Sequence, residues 1–313
     1  MQENIRNFKQ LTNKDTAIAG GKGASLGEMT QVKLPVPPGF VVLASAFDKF
    51  MRDTDAIREE AAMLDRIDIK STENIEEQAE IMRDVILKKK FPEDLAKEIF
   101  NNFDKLGARH VAIRSSATAE DSKIDAWAGQ LESFLYVDRK DLLSAVQKCW
   151  ASLYTPRALF YRVERNMRRK QVSVAVVIQK MANSDVSGVC FTVHPVTRDK
   201  DQMIIEACWG LGEALVQGII TPDSYVIEKS TLKIIDINVN NQEKYIVKAK
   251  KETKGKPVPQ KIREKQKLTE KQIKELAKIC ISIEKYYKDP RDIEWALENG
   301  KFYIVQSRPI TTL

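Results

Sequence analysis

Only two histidines, His110 and His194, occur in 313 residues, and the four cysteines (Cys149, Cys190, Cys208, Cys280) lie far apart with no C-x-x-C pair. Neither histidine stands at a ligand-like spacing from a cysteine, which argues against a zinc site. The cysteines sit in apolar contexts and read as buried free thiols of a reducing cytoplasm. No apolar run is long enough to span a bilayer, and the N-terminus MQENIRNFKQ lacks the apolar core of a signal peptide. Two familiar phosphate fingerprints are missing as well. Lys22 is followed by Gly23 where a P-loop needs Ser or Thr, and G-x-G-x-x-G fails at Gly21/Gly23, where Leu26 takes the third place, and again at Gly210/Gly212. These absences leave a cytoplasmic chain without a membrane segment and without a standard nucleotide cradle.

What is present is an ordinary globular mixture, 43% hydrophobic and 30% charged, with a net charge of +7. That length and composition can bury one large or two ordinary domains. The positive balance suits an anionic ligand, but it is equally what a lysine-rich surface gives alone. The most basic run, RALFYRVERNMRRK, distributes its charges round a helix without interleaved exposed aromatics, so it reads as a solvated face and no nucleic-acid partner is expected.

The apolar periodicity divides the chain into helical and extended stretches. VKLPVPPGFVVLASAFDKF reads as a proline-shaped turn, a short strand and a helix started by Ser45, and the charged stretch from Asp53 to Leu106 reads as helical scaffold. Val111 to Ile113 reads as a short strand that runs into Arg114 and a loop of small and hydroxyl residues, Ser133 to Val137 as a second strand, VSVAVVIQKM as a strand buried on both faces, and SGVCFTV and QMIIEACW as two more. SYVIEKSTLKIIDI reads as a hairpin, and KAKKETKGKPVPQKIREKQKL as an exposed, mobile loop. A helix over Thr269 to Tyr287 and a final hairpin follow. Strands and helices alternate without a regular βαβ rhythm, so the fold class expected is α+β.

Three segments carry candidate chemistry. In GGKGASLGEM, glycines surround Lys22 ahead of a helix begun by Ser25 and Leu26; backbone N–H groups at such a start favour anions, though a plain surface turn accounts for the same residues. In AIRSSATAED, Arg114 directly follows buried strand residues, so its guanidinium is held for bidentate phosphate contact or for an ion pair with Glu120 or Asp121. In RDIEWALENGKFYIVQSRP, polar and apolar residues alternate on two arms. A three-residue loop over Glu298–Gly300 would set Asp292 opposite Gln306 and bring Asp292, Glu294, Ile304, Gln306 and Arg308 to one face, a set suited to Mg²⁺ and phosphate oxygens. A two-residue Asn-Gly turn would put Gln306 on the face opposite to Glu294.

Taken in order, GGKGASLGEM…VPPGFVV, AIRSSATAED…AWAGQ, CWASLYTPRALFYR, VIQKM, WGLGEALVQG and RDIEWAL…YIVQSRP resemble the N-terminal nucleotide-binding domain shared by phosphoenolpyruvate synthase (pyruvate, water dikinase), pyruvate phosphate dikinase and rifampicin phosphotransferase. The resemblance covers nearly the whole chain. It implies an ATP-grasp fold of two lobes holding ATP and Mg²⁺, placed here at 1–195 and 196–313. Carried over residue by residue, it implies that Lys22, Arg114 and Arg308 bind the triphosphate. It implies Mg²⁺ on Glu294 and Gln306 with Asp292 nearby, the adenine edge on Gln179, Lys180, Met181 and Ala182, the ribose at Glu213, and a phosphate-covering loop through Gly129, Gln130 and Ser133. It further implies transfer of the ATP diphosphoryl unit to a histidine on a swivelling domain, and a third domain that phosphorylates pyruvate or the antibiotic. Neither His110 nor His194 has the setting of that carrier histidine, so the chain is expected to prepare MgATP and to complete no turnover alone. A stand-alone nucleotide-binding module is the alternative of another class.

Overall fold

In the computed structural model, residues 3–118, 132–168, 172–248 and 253–310 are described. The chain forms two compact units, Met1–Glu28 with Pro38–Met181, and Met29–Pro37 with Ala182–Leu313.

The first unit contains β1 (Ile5–Asn7), α1 (Thr16–Gln31, whose last residues belong to the second unit), β2 (Gly39–Val42), α2 (Ala44–Asp53), α3 (Ala56–Arg66), α4 (Thr72–Lys88), α5 (Glu93–Leu106), β3 (Val111–Ala117), β4 (Ser133–Val137), α6 (Leu142–Ala151), α7 (Pro156–Glu164) and β5 (Val174–Lys180). Its strands form one antiparallel sheet in the order β1-β2-β5-β3-β4. Period-two alternation sends Phe40, Val42, Val111, Ile113, Val176 and Ile178 into a core shared with the helices α2 to α7. The scarce aromatics concentrate there, with Trp150 against Phe47, Phe50 and Phe91 at centroid distances of 4.9–5.8 Å. Arg162, expected on a solvated face, is buried instead. It donates to Glu60 at 2.8 Å, as does the Tyr154 hydroxyl, so the basic run sends this guanidinium inward to a half-buried carboxylate. Ser45 does not cap α2; its hydroxyl donates to Glu3 O at 2.6 Å and the cap position falls on Leu43.

The second unit holds β6 (Val186–Phe191), β7 (Gln202–Trp209), α8 (Glu213–Val216), β8 (Asp223–Glu228), β9 (Lys233–Asn238), β10 (Lys244–Lys248), β11 (Thr253–Pro257), α9 (Glu270–Tyr287), β12 (Arg291–Glu298) and β13 (Lys301–Pro309). Six strands form an antiparallel sheet in the order β13-β12-β6-β7-β8-β9. Because β6 pairs with both β7 and β12, the division falls between Met181 and Ala182, not at 195/196. The segment 29–37 joins this unit through Ile304 N–H, which donates to Pro35 O at 2.8 Å. Within the lysine-rich stretch, Thr253–Pro257 is not an irregular loop: as β11 it pairs antiparallel with β10 through backbone groups, which need no apolar alternation in the sequence.

One face of this sheet is covered by α9, begun by a capping box between Thr269 and Gln272. Its buried Ile273, Leu276, Ala277, Cys280 and Ile283 meet a sheet face carrying Ile293, Cys190, Ile205 and Tyr225. All four cysteines are buried free thiols, and burial raises the Cys208 thiol to about 11. Gly188 lies in the middle of that sheet because a Cβ there would meet Glu206 O at 1.8 Å and Trp295 Cζ2 at 2.7 Å. Among the described residues all three sheets pair antiparallel throughout, which agrees with the α+β expectation.

Gly20 breaks α1 with φ 69° and ψ 166°, a region open in practice only to glycine, and a Cβ there would sit 2.2 Å from Ser116 Oγ and 2.5 Å from Ser116 O. We expect Gly20→Ala to cost about 2–4 kcal/mol from strain and overpacking together, read as a lowered melting temperature. Gly21→Ala has nothing within 4 Å of the new Cβ and serves as the control that keeps the wild-type melt.

Candidate functional site

In the first unit, the break at Gly20 makes Gly21-Lys22-Gly23 the first turn of the resumed helix, earlier than the start expected at Ser25 and Leu26. The cap comes from a distant strand: Gly23 N–H donates to Ser116 Oγ at 3.2 Å, and Lys22 Nζ donates to Ser115 O at 3.1 Å. A Cβ on Gly23 would come within 3.0 Å of Val41 Cγ2, so α1 lies on the sheet face opposite to the aromatic core. Arg114 projects from that same face. It pairs across strands with Val177 and Ser133, and Val177 in turn pairs with Val41.

The Arg114 guanidinium is buried and donates from Nη2 to Oε1 of Gln179 at 2.7 Å. Gln179 stands two residues beyond Val177 on β5, the diagonal position that long side chains reach. The residue is 1% exposed, so its amide is buried together with the arginine it holds. Lys180 N–H and Met181 N–H are committed to Pro38 O at 2.8 Å and His110 O at 3.1 Å. Ser133 is exposed at the start of β4. Gly129, Gln130, Glu120 and Asp121 lie outside the described residues.

In the second unit, the polar set depends on the register of the final hairpin. Glu298 pairs with Lys301 across a two-residue turn in which Asn299 (φ 50°) and Gly300 (φ 77°) are both left-handed, the requirement of a type I′ turn. The expected three-residue loop is therefore not formed. Continued without interruption, this register would set Gln306 opposite Ile293, on the core face. A β-bulge intervenes: Trp295 pairs with Ile304, but Glu294 pairs with Gln306, so Val305 is the extra residue. Beyond the bulge Asp292 pairs with Arg308, not with Gln306. Asp292, Glu294, Gln306 and Arg308 thus share one face, whereas Ile304, expected among them, is fully buried on the other with Trp295.

Arg308 donates to Asp292 Oδ2 from Nε and approaches it with Nη2, both at 2.8 Å. The same sheet face carries one carboxylate that the sequence reading did not single out. Glu294 pairs with Val189 on β6 and Val189 with Glu206 on β7, so Glu206 stands in the same row. Burial first, and the charge of Asp292 second, raise the Glu206 carboxyl above its usual range. The signal in the sequence was a lone acidic residue inside the apolar run QMIIEACW. Over the far end of this face, Ser187 Oγ donates to Gly210 O at 2.7 Å and holds the turn that opens α8. Glu213 on α8 has one carboxylate oxygen, Oε2, buried without a hydrogen-bond partner, while Oε1 accepts from Gln217 Nε2 at 3.2 Å. Among the described residues no three His, Cys, Asp or Glu side chains are grouped to hold a metal ion, so any metal here rests on fewer carboxylates plus an amide or ligand oxygens.

Both histidines do structural work. His194 Nδ1 accepts from Val196 N–H and Thr197 N–H at 3.3 and 3.2 Å, and the His110 ring lies edge-on to Tyr136 at 5.9 Å.

The profile of the pyruvate phosphate dikinase AMP/ATP-binding domain matches residues 16–313. The chain belongs to that family. A probable phosphoenolpyruvate synthase of Methanocaldococcus jannaschii is 45% identical over 97% of this chain and 26% of that protein. Another from Methanothermobacter thermautotrophicus is 42% identical over 98% of the chain and 46% of its own length. A rifampicin phosphotransferase of Bacillus cereus is 36% identical over 100% of the chain and 36% of its length. The chain therefore spans roughly a quarter to a half of the relatives it matches. A D-alanine–D-alanine ligase from Helicobacter pylori aligns with 76% of the chain and 54% of its own at 12% identity and a TM-score of 0.26, a likeness too low to bear on this dikinase-type domain. Among the described residues no helix is long and apolar enough to cross a membrane.

Proposed function

We propose that this chain is the MgATP-binding part of a phosphoenolpyruvate synthase-type dikinase with an ATP-grasp fold. The observation that carries the reading is the bulged hairpin, which aligns Glu294 with Gln306 and Arg308 with Asp292 on one face of a domain of this family. An acidic side chain opposite an amide oxygen suits a hard, oxygen-ligated cation, and Mg²⁺ bound there would neutralise phosphate charge. Asp292 is engaged by Arg308, so its part is to aim that guanidinium, with Glu294 and Gln306 as the metal-holding pair. In the first unit, Lys22 at a helix start and Arg114 supply cations for the triphosphate. The buried, unpartnered Glu213 Oε2 supports a hydroxyl ligand such as ribose. Adenine recognition by Lys180, Met181 and Ala182 would fall to groups other than the two N–H donors already committed to Pro38 and His110.

The reaction proposed for the whole protein moves the ATP diphosphoryl unit to a histidine on a separate domain. The bond between the α and β phosphates breaks as the phosphorus–nitrogen bond forms, and AMP leaves. Little covalent chemistry falls to this chain; it positions the phosphates and neutralises their charge. Pyruvate is the acceptor we favour, because relatives named phosphoenolpyruvate synthase range from 36 to 45% identity and include those at 42–45%, against 36% for the rifampicin phosphotransferase. The test supplies the histidine-bearing and acceptor domains in trans with MgATP. AMP and a phosphorylated histidine are expected, with turnover on pyruvate and none on rifampicin. No AMP at saturating MgATP overturns the transfer, and turnover on rifampicin alone reassigns the acceptor.

A further inference from the structure

We infer that Gln179 is a positioning residue for Arg114, one that fixes the guanidinium while leaving its positive charge for polyphosphate. The inference rests on the MgATP reading above and reassigns Gln179 from the adenine edge. Three observations carry it. Gln179 is 1% exposed on β5, so its amide has no open surface from which to read a base. Its Oε1 accepts from Arg114 Nη2 at 2.7 Å, a short contact for a bond to a charged donor. Arg114 is itself buried on β3, one strand over and on the same sheet face, so both partners are held by paired backbone.

The chemistry of the acceptor is the point. A carboxylate at this position would orient the arginine equally well but would cancel its charge in a site of low dielectric. An amide oxygen orients through a dipole and adds no countercharge of its own. The part assigned to residue 179 thus depends on its being neutral and polar.

Gln179→Glu keeps the size and the hydrogen bond and changes only the charge, and Gln179→Met keeps the length and removes the acceptor. Calorimetric titration of wild type and both variants with ATP, ADP, AMP and adenosine, each with Mg²⁺, separates the possible roles. We expect Gln179→Glu to weaken ATP binding by roughly tenfold or more, ADP less and AMP less again, with adenosine unchanged. Gln179→Met should show the same ordering with a smaller loss. A base-reading or merely structural role would lower all four affinities by one common factor, and that result overturns the inference. So does unchanged ATP affinity in both variants. Failure of the MgATP reading itself looks different: the wild-type chain then binds none of the phosphorylated nucleotides. A melting curve for each variant guards the comparison, and if Gln179→Glu melts early the gradient across phosphate number in Gln179→Met decides.

Discussion

Glu294→Ala is expected to weaken Mg²⁺-dependent ATP binding by about 30- to 150-fold, a loss of about 2–3 kcal/mol, and to leave the fold intact. The size follows from removing the one full negative charge that the bulged register sets directly opposite Gln306. The fold survives because Glu294 is only half buried, and its cross-strand neighbour on β6 is Val189. Gln306→Ala should follow in the same direction with a smaller loss, since an amide oxygen contributes a dipole and not a charge. Calorimetry with Mg²⁺ varied at fixed ATP is the measurement. Equal losses with and without Mg²⁺ would show that the pair does not serve a cation.

Lys267→Ala should destabilise the second unit by about 3–5 kcal/mol, because it leaves a buried carboxylate without its counter-charge. Lys267 and Asp223 are both fully buried and meet at 2.7 Å. Asp223 also accepts from Tyr225 Oη at 2.8 Å and from the backbone N–H groups of Asn240 and Lys267, each at 2.9 Å. This cluster pins the segment leading into α9 against β8, and burial together with Asp223 pushes the Tyr225 hydroxyl well above its usual range. Pairing Lys267→Met with Asp223→Asn should recover part of the loss, since no uncompensated charge then remains inside. Thermal or urea unfolding of the single and double variants reads the effect directly. A single variant that melts like wild type would mean that water reaches the carboxylate.

Several elements were legible because their causes are local. Thr269 and Gln272 announce the start of α9, Asn299-Gly300 announces a tight turn, and the alternation in SYVIEK is the half-buried β8. The candidate site was legible as residue types: a lysine among glycines, an arginine at a strand, an acidic and amide pair on a hairpin. Its assembly was not. Strand alternation assumes an unbroken ladder, so it cannot register Val305, the one residue that returns Gln306 and Arg308 to the face of Glu294. The expected common face exists, but through a two-residue turn plus a bulge, not through a three-residue loop, and without Ile304.

The sequence by itself determined the chemistry available to this protein: which cations, carboxylates and amides stand near one another along the chain, and which family that order belongs to. The tertiary structure decided who meets whom. Gln179 holds Arg114 from 65 residues away, Ser116 caps the turn of Lys22 from 93 residues away, and Glu206 joins Glu294 only through the strand that separates them. The physical reason is that helix caps and turns are set by side chains a few residues apart. Partners across a sheet are set by register, a property of the assembled ladder that no short stretch of sequence contains.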